Sequence, residues 1–307
     1  MAPDADSPLA LSEIAAAPAR RRLGEAGLML RAFRRDPLAT ASVVVIVLFV
    51  LGAIFAPLLT PYAQEGRGVP NIVEKFRPPS AAHLLGTDNL GRDVLARILF
   101  GGRASLSIGL LVVVIAVLIG APLGALAGYV GGWLDDVVMR ITDVFLAFPS
   151  LLLALAIAGA LGPSFRNAMI ALALTWWPWY TRVVRAQTLS LRERYFIEAA
   201  RSIGVRAPVI VARHVLPNVL TPVLVQATMD LGSAILTGAA ISFIGLGVQP
   251  PTAEWGSMIS IGRIYFQERP WMAGAAGAAI FLVTLAFNLV GDALRDAADP
   301  RTRRSAG

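Results

Sequence analysis

Long runs without a charged residue alternate along this chain with short segments crowded with arginine. The uncharged runs cover 38–59, 104–134, 144–165, 167–181, 215–253 (broken only by Asp230) and 270–291. A helix rises 1.5 Å per residue, so about 20 apolar residues cross the ~30 Å hydrocarbon core of a bilayer. Five of the runs reach that length unaided. The run 167–181 is short; its helix is expected to borrow its flanks and continue through Arg182, with that side chain snorkelling. Glycines at 128, 131 and 132 are expected to end the second helix before Asp135. The pattern predicts an all-α polytopic membrane protein with six transmembrane helices within 37–293. A loop at 60–103, a charged loop at 182–216, an N-terminal segment 1–36 and a tail 294–307 complete it.

Composition sharpens this reading. Mean hydropathy is +0.66. Charged residues make up 15%, against about 25% in soluble domains. With no cysteine, disulfides, thiolate metal sites and cysteine nucleophiles drop out. His83 and His214 are far apart in sequence, which argues against a histidine metal centre. The net charge of +7 is carried by arginines clustered beside apolar runs, the pattern of membrane orientation rather than of a nucleic-acid groove. With six spans, 18 of the 27 Lys and Arg fall on the side holding both termini. That asymmetry places the termini in the cytoplasm and the 60–103 loop outside. A cleaved signal peptide is not expected, because the first apolar run starts near residue 38 and is too long for one. The N-terminal 36 residues start Ala-rich and polar, then turn basic; disorder followed by a surface-lying stretch is expected.

The charged loop holds the most informative pattern. A helix is expected over roughly 189–203, with Glu198 projecting from it. Ala199 and Ala200 lack bulk, so another surface could approach the backbone there. Gly204 suits the left-handed residue that stops a helix, and Pro208 suits the first turn of the next one. Pro217 is expected to break or kink that helix as the chain re-enters the membrane. On spacing alone, a hairpin that only anchors charge at the interface fits equally well.

Glu198-Ala199-Ala200, then Gly204, then His214-Val-Leu216-Pro217 resembles the coupling-loop signature of permease subunits of binding-protein-dependent ABC importers. Arg201 lies within it. His214 stands where the family has Ile, a variation associated with peptide-type members. Three further stretches resemble the dipeptide/oligopeptide/nickel class: 83–97 (HLLGTDNLGRDVLAR), 235–251 followed by Glu254-Trp255-Gly256, and 287–300, the last pointing to the C-type of the two permeases. Together they cover about 28–304. The resemblance implies the type I ABC importer permease fold in a bacterial inner membrane. It implies a paralogous permease as heterodimer partner, two cytosolic ATP-binding subunits docking on Glu198–Gly204, and an extracytoplasmic substrate-binding protein. It implies di- or oligopeptide as cargo, with nickel, glutathione or opines as alternatives. ATP and Mg would be bound by the partners, and no cofactor by this chain. A phosphate-binding loop needs a Lys after a Gly-rich turn, and the only Lys, Lys75, is not in such a loop.

Other residues carry narrower expectations. The family commonly has Glu at the position of Gly238; this chain has Asp230 two turns earlier, an acid expected to line the pathway or pair with the second permease, or else to find a local donor. Arg140 and Asp143 are spaced for an i,i+3 ion pair. Trp176, Trp177, Trp179, Trp255 and Trp271 read as interface anchors. Asp88 reads as the N-cap of an amphipathic helix from Leu90, with Arg92, Asp93 and Arg97 on its polar face. An intramembrane enzyme would need a constellation of polar groups within the spans that is missing here, and a scaffold would not need the loop pattern.

Overall fold

The structure, a computed structural model, describes residues 36–298; the readings made for 1–35 and 299–307 lie outside this part. Nine helices carry the argument: α1 Pro37–Ile54, α2 Val94–Val130, α3 Gly132–Leu146, α4 Ser150–Leu161, α5 Phe165–Leu191, α6 Tyr195–Ser202, α7 Leu216–Ile244, α8 Trp255–Gly262 and α9 Pro270–Ala298. Among the described residues the only strand-like pairing is an isolated bridge between Thr87 and Asp93.

Side-chain caps set several starts. Asp36 Oδ1 accepts from the amides of Leu38 and Ala39 at 2.8 and 3.2 Å, with Pro37 in the first turn of α1. Asp93 Oδ1 accepts from Ala96 N at 2.7 Å and opens α2. Ser164 Oγ accepts from Asn167 N at 3.0 Å and opens α5. At its other end α2 stops at Gly131, where φ is +71°, the left-handed region that suits glycine.

Of the six expected spans, four single helices are long and apolar enough to cross a membrane, and a bent pair makes a fifth. By length and composition α1, α2, the run Ala207–Ile244 and α9 can each cross a membrane. The uncharged run 144–165 is not one straight helix: α3 and α4 form a pair bent by 86°. The break falls at Phe148-Pro149, where proline disfavours helical backbone in the residue before it. Helix α5, at 27 residues, is long enough and runs past Arg182 as expected. It carries Arg182 and Arg185 in its last ten residues.

The most extensive helix interface joins α2 to α5. Gly120, Gly124 and Gly128 lie one turn apart on α2 and face the carbonyls of Trp177, Thr181 and Arg185. A Cβ at Gly120 would sit 2.5 Å from Trp177 O, and one at Gly128 2.8 Å from Arg185 O. Glycine at this spacing lets two backbones touch, the usual device for packing helices in lipid. Gly128 therefore packs inside α2 rather than helping to end it.

At the far end of α2 a polar knot replaces the expected amphipathic helix. Residues 84–93 are irregular, and Arg92, Asp93 and Arg97 are buried rather than solvated. Asp88 caps no helix; it accepts from Leu90 N at 2.8 Å and from Arg92 Nε at 2.7 Å. His83 Nδ1 lies 2.9 Å from Asp93 Oδ2, and the Asp93 amide donates to Glu65 Oε2 at 2.7 Å. Arg97 Nη1 donates to Pro251 O at 2.8 Å. Backbone turns explain the departure: at Gly91, φ +77°, a Cβ would collide with the carbonyl of Asn71. Trp255 is fully buried and donates to Ile98 O at 3.0 Å, so it is a core residue and not an interface anchor. Trp271 is tied to Thr87 O at 3.2 Å. Glu254, also fully buried, caps α8 through the amides of Gly256 and Ser257 at 2.9 and 2.8 Å and receives Ser105 Oγ at 3.2 Å. Burial pushes its carboxyl above the usual carboxylate range, against the pull of those donors.

Candidate functional site

The charged segment folds as two short helices laid across the end of the α2–α5 pair. Helix α5 continues to Leu191, the chain breaks at 192–194, and α6 starts at Tyr195. The single helix expected over 189–203 is thus two. Gly204 has φ +78° and closes the turn after α6. Pro208 lies in the first turn of Ala207–Ile210, as expected. Pro217 neither breaks nor sharply kinks the path. A π turn over Val211–Val215 precedes it, closed by Leu216 N donating to Val211 O, and the helix runs on. The wider turn accommodates a residue with no N–H to return to the preceding turn.

Alpha-helical rotation separates the signature residues. Ile197 and Ala200 are buried against the bundle, whereas Glu198, Ala199 and Arg201 are exposed. Of the two small residues expected to admit a partner, only Ala199 faces outward; Ala200 lets α6 itself approach the bundle. Tyr195 is 90% exposed and Ile203 81%, so the free edge of α6 is apolar around Glu198. The guanidinium of Arg201 stacks on the Tyr129 ring with 5.6 Å to its centroid, and Arg192 Nη1 donates to Gly128 O at 3.3 Å. Both tie the segment to the end of α2. His214 and Leu216 are half-buried and Pro217 is exposed. The His214 carbonyl accepts from Asn218 Nδ2 at 2.6 Å.

Ion pairs brace the approach to this segment. Arg185 Nη2 donates to Asp135 Oδ2 at 2.6 Å while its Nε donates to Oδ1, a forked pair linking α5 to α3. Asp143 pairs with Arg182, not with Arg140. The helix-spaced partner loses to one on a neighbouring helix, and Arg182 has a carboxylate partner where snorkelling was expected.

Asp230 lies on α7 beside a cavity of about 310 Å³. Tyr180 OH donates to its Oδ2 at 2.6 Å and Gln226 Nε2 to its Oδ1 at 2.9 Å. Trp176, Trp179 and Thr175 form the wall that α5 contributes. Trp177, expected at the interface, is instead buried edge-on to Phe145, with centroids 5.5 Å apart. Tyr180 is the partner of Asp230 that the sequence reading missed. The Gln226–Asp230 contact was readable from i,i+4 spacing; the tyrosine, 50 positions away on another helix, was not. Gly238 packs against α2, with a Cβ there 2.6 Å from Ile108 Cγ2, so this arrangement has no room for the glutamate the family commonly carries.

A bundle of long apolar helices with a two-helix segment across one end is the architecture of a polytopic membrane protein. Residues 120–304 match the family described as binding-protein-dependent transport system inner membrane component. Residues 26–79 match the N-terminal TM domain of oligopeptide transport permease C. The chain is 46% identical over 272 residues, 88% of each chain, to a dipeptide transport system permease protein of Alkalihalophilus pseudofirmus. It is 45% identical to a probable D,D-dipeptide transport system permease protein of Escherichia coli, covering 87% of this chain and 88% of that one. It is 43% identical, over 89% of each, to a glutathione transport system permease protein of Escherichia coli O157:H7. The chain belongs to the binding-protein-dependent transport system inner membrane component family, as a C-type permease of an ABC importer.

Proposed function

We propose that this chain forms half of the translocation pathway of an ATP-driven importer of di- or oligopeptides. A paralogous permease supplies the other half. An extracytoplasmic binding protein delivers the cargo at the end formed by the 60–93 loop and α8. Two cytosolic ATP-binding subunits dock on α6, and ATP and Mg are theirs, since the sequence here offers no Lys in a phosphate-binding loop. The observation that carries the reading is the split character of α6. Ile197 and Ala200 anchor it to the bundle while Tyr195, Glu198, Ala199 and Ile203 stay free. A partner gripping that edge would move the segment, and Arg201 and Arg192 would pass the displacement to α2 as a rigid body. The dipeptide names of two relatives favour peptide cargo.

Glutathione is the second reading, favoured by relatives bearing that name. ATP hydrolysis by the reconstituted complex separates the readings. Stimulation by a dipeptide-loaded binding protein is the expected result; stimulation by the glutathione-loaded one alone would move the assignment to glutathione. No stimulation by either, in a complex that contains an ATPase, would overturn both cargo readings and move the assignment to nickel or opines.

A further inference from the structure

The carboxylate of Asp230 has an uncommon environment. Its two hydrogen-bond donors, Tyr180 and Gln226, are both neutral. Among the described residues no ion pair includes it, whereas Asp135 and Asp143 each take an arginine. A hydroxyl and an amide fix the orientation of the carboxylate but leave its charge uncompensated. A lone acid at membrane depth is costly, and such acids face a cavity or a basic partner. Here the cavity is present, and α5 lines it with Trp176 and Trp179.

An aromatic wall beside an uncompensated carboxylate is the arrangement that attracts an organic ammonium: the charge meets the carboxylate and the rings supply cation–π attraction. Each carboxylate oxygen uses one lone pair on its protein donor and keeps another for an ammonium N–H. An inorganic cation would be served better by several oxygens, and the rings would add nothing for an anion. We propose that the Asp230 cavity is a station for a protonated amine, and that the cargo occupies it through its free amino group during passage. Tyr180 and Gln226 act as positioning residues that hold the carboxylate toward the cavity. The link to cargo rests on the importer reading above, because dipeptides and glutathione both present such an amine; the amine site itself does not.

Two measurements on the purified complex with its permease and ATPase partners test this. The first needs no binding protein. Tryptophan fluorescence is followed while ethylammonium chloride is added, with potassium chloride and ethanol as ionic and neutral controls. A saturable change with ethylammonium alone is expected. In Asp230→Asn the half-saturation concentration should rise at least roughly tenfold, since removing one partner of a desolvated pair is costly, and Asp230→Glu should recover part of it. An equal response in Asp230→Asn, the same response to potassium chloride, or no saturable response would each overturn the station. The last would also be seen if a basic residue of the paralogous permease already filled the cavity. The second measurement is peptide uptake per ATP hydrolysed. Asp230→Asn should lower this ratio about tenfold while stimulation by loaded binding protein is kept. An unchanged ratio would sever the station from transport. Failure of the importer reading looks different: wild type would then show the ethylammonium response without any stimulation by a binding protein.

Discussion

At Gly124 a single added methyl group is enough to probe how α2 and α5 are held. A Cβ there would fall 3.0 Å from Arg185 N and as close to Val184 Cβ, with the Thr181 carbonyl nearer still. Backbone atoms cannot swing aside, so Gly124→Ala should cost about 1–3 kcal/mol, seen as a lower thermal unfolding midpoint of the purified complex. Gly277→Ala is the matched control. No atom outside its own helical turn lies within 4 Å of its Cβ position, and alanine is the better helix former, so stability should hold or rise by up to about 1 kcal/mol. Equal midpoints for the two variants would remove steric contact as the reason for the glycines. This spacing was present in the sequence, yet glycine also ends helices, and Gly128 pulled the reading toward termination. Asp230 was legible as a costly acid because cost depends only on residue type and depth. Its tyrosine donor was not, because only tertiary packing brings α5 beside α7.

Among the elements, α6 makes the sharpest commitment. Its outer edge carries Tyr195, Glu198 and Ile203, and none of these contributes to the buried core. Glu198→Arg and Ile203→Asp should therefore reduce the ATPase recovered with the complex while shifting thermal stability by no more than about 0.5 kcal/mol. Undiminished ATPase recovery in both would place the docking surface elsewhere. The punctuation of this segment could be read directly: Gly204 takes a left-handed conformation that few other residues favour, and Pro208 has its φ preset for the first turn of a helix. The break at 192–194 could not, since Leu-Arg-Glu-Arg consists of good helix formers. Nor could the division between Ala199 and Ala200, which depends on which face of α6 the bundle claims. The 83–97 stretch misled for a related reason. Its apolar spacing fits a helix, but its polar residues find better partners in Glu65, His83 and the carbonyl of Pro251.

For the whole molecule, the alternation of apolar and arginine-rich segments was sufficient to reveal an all-α bundle in a membrane. The same asymmetry predicts the orientation: a reporter fused after Gly307 should read cytoplasmic; a readout on the other side would invert every assignment of inner and outer loops. The bend between α3 and α4 stayed hidden, because an uncharged run reports composition and not path. One further feature joins the parts. The π turn at Val211–Val215 inserts one residue more than a straight α-helix would hold between the docking segment and α7. Each residue of an α-helix turns the chain by about 100°. The angular phase between the surface an ATPase would grip and the face of α7 that carries Asp230 is therefore set by residue count. A clock hand moved by one such mark points to a different neighbour, so shortening this stretch by one residue would re-aim the grip without touching a single residue of it.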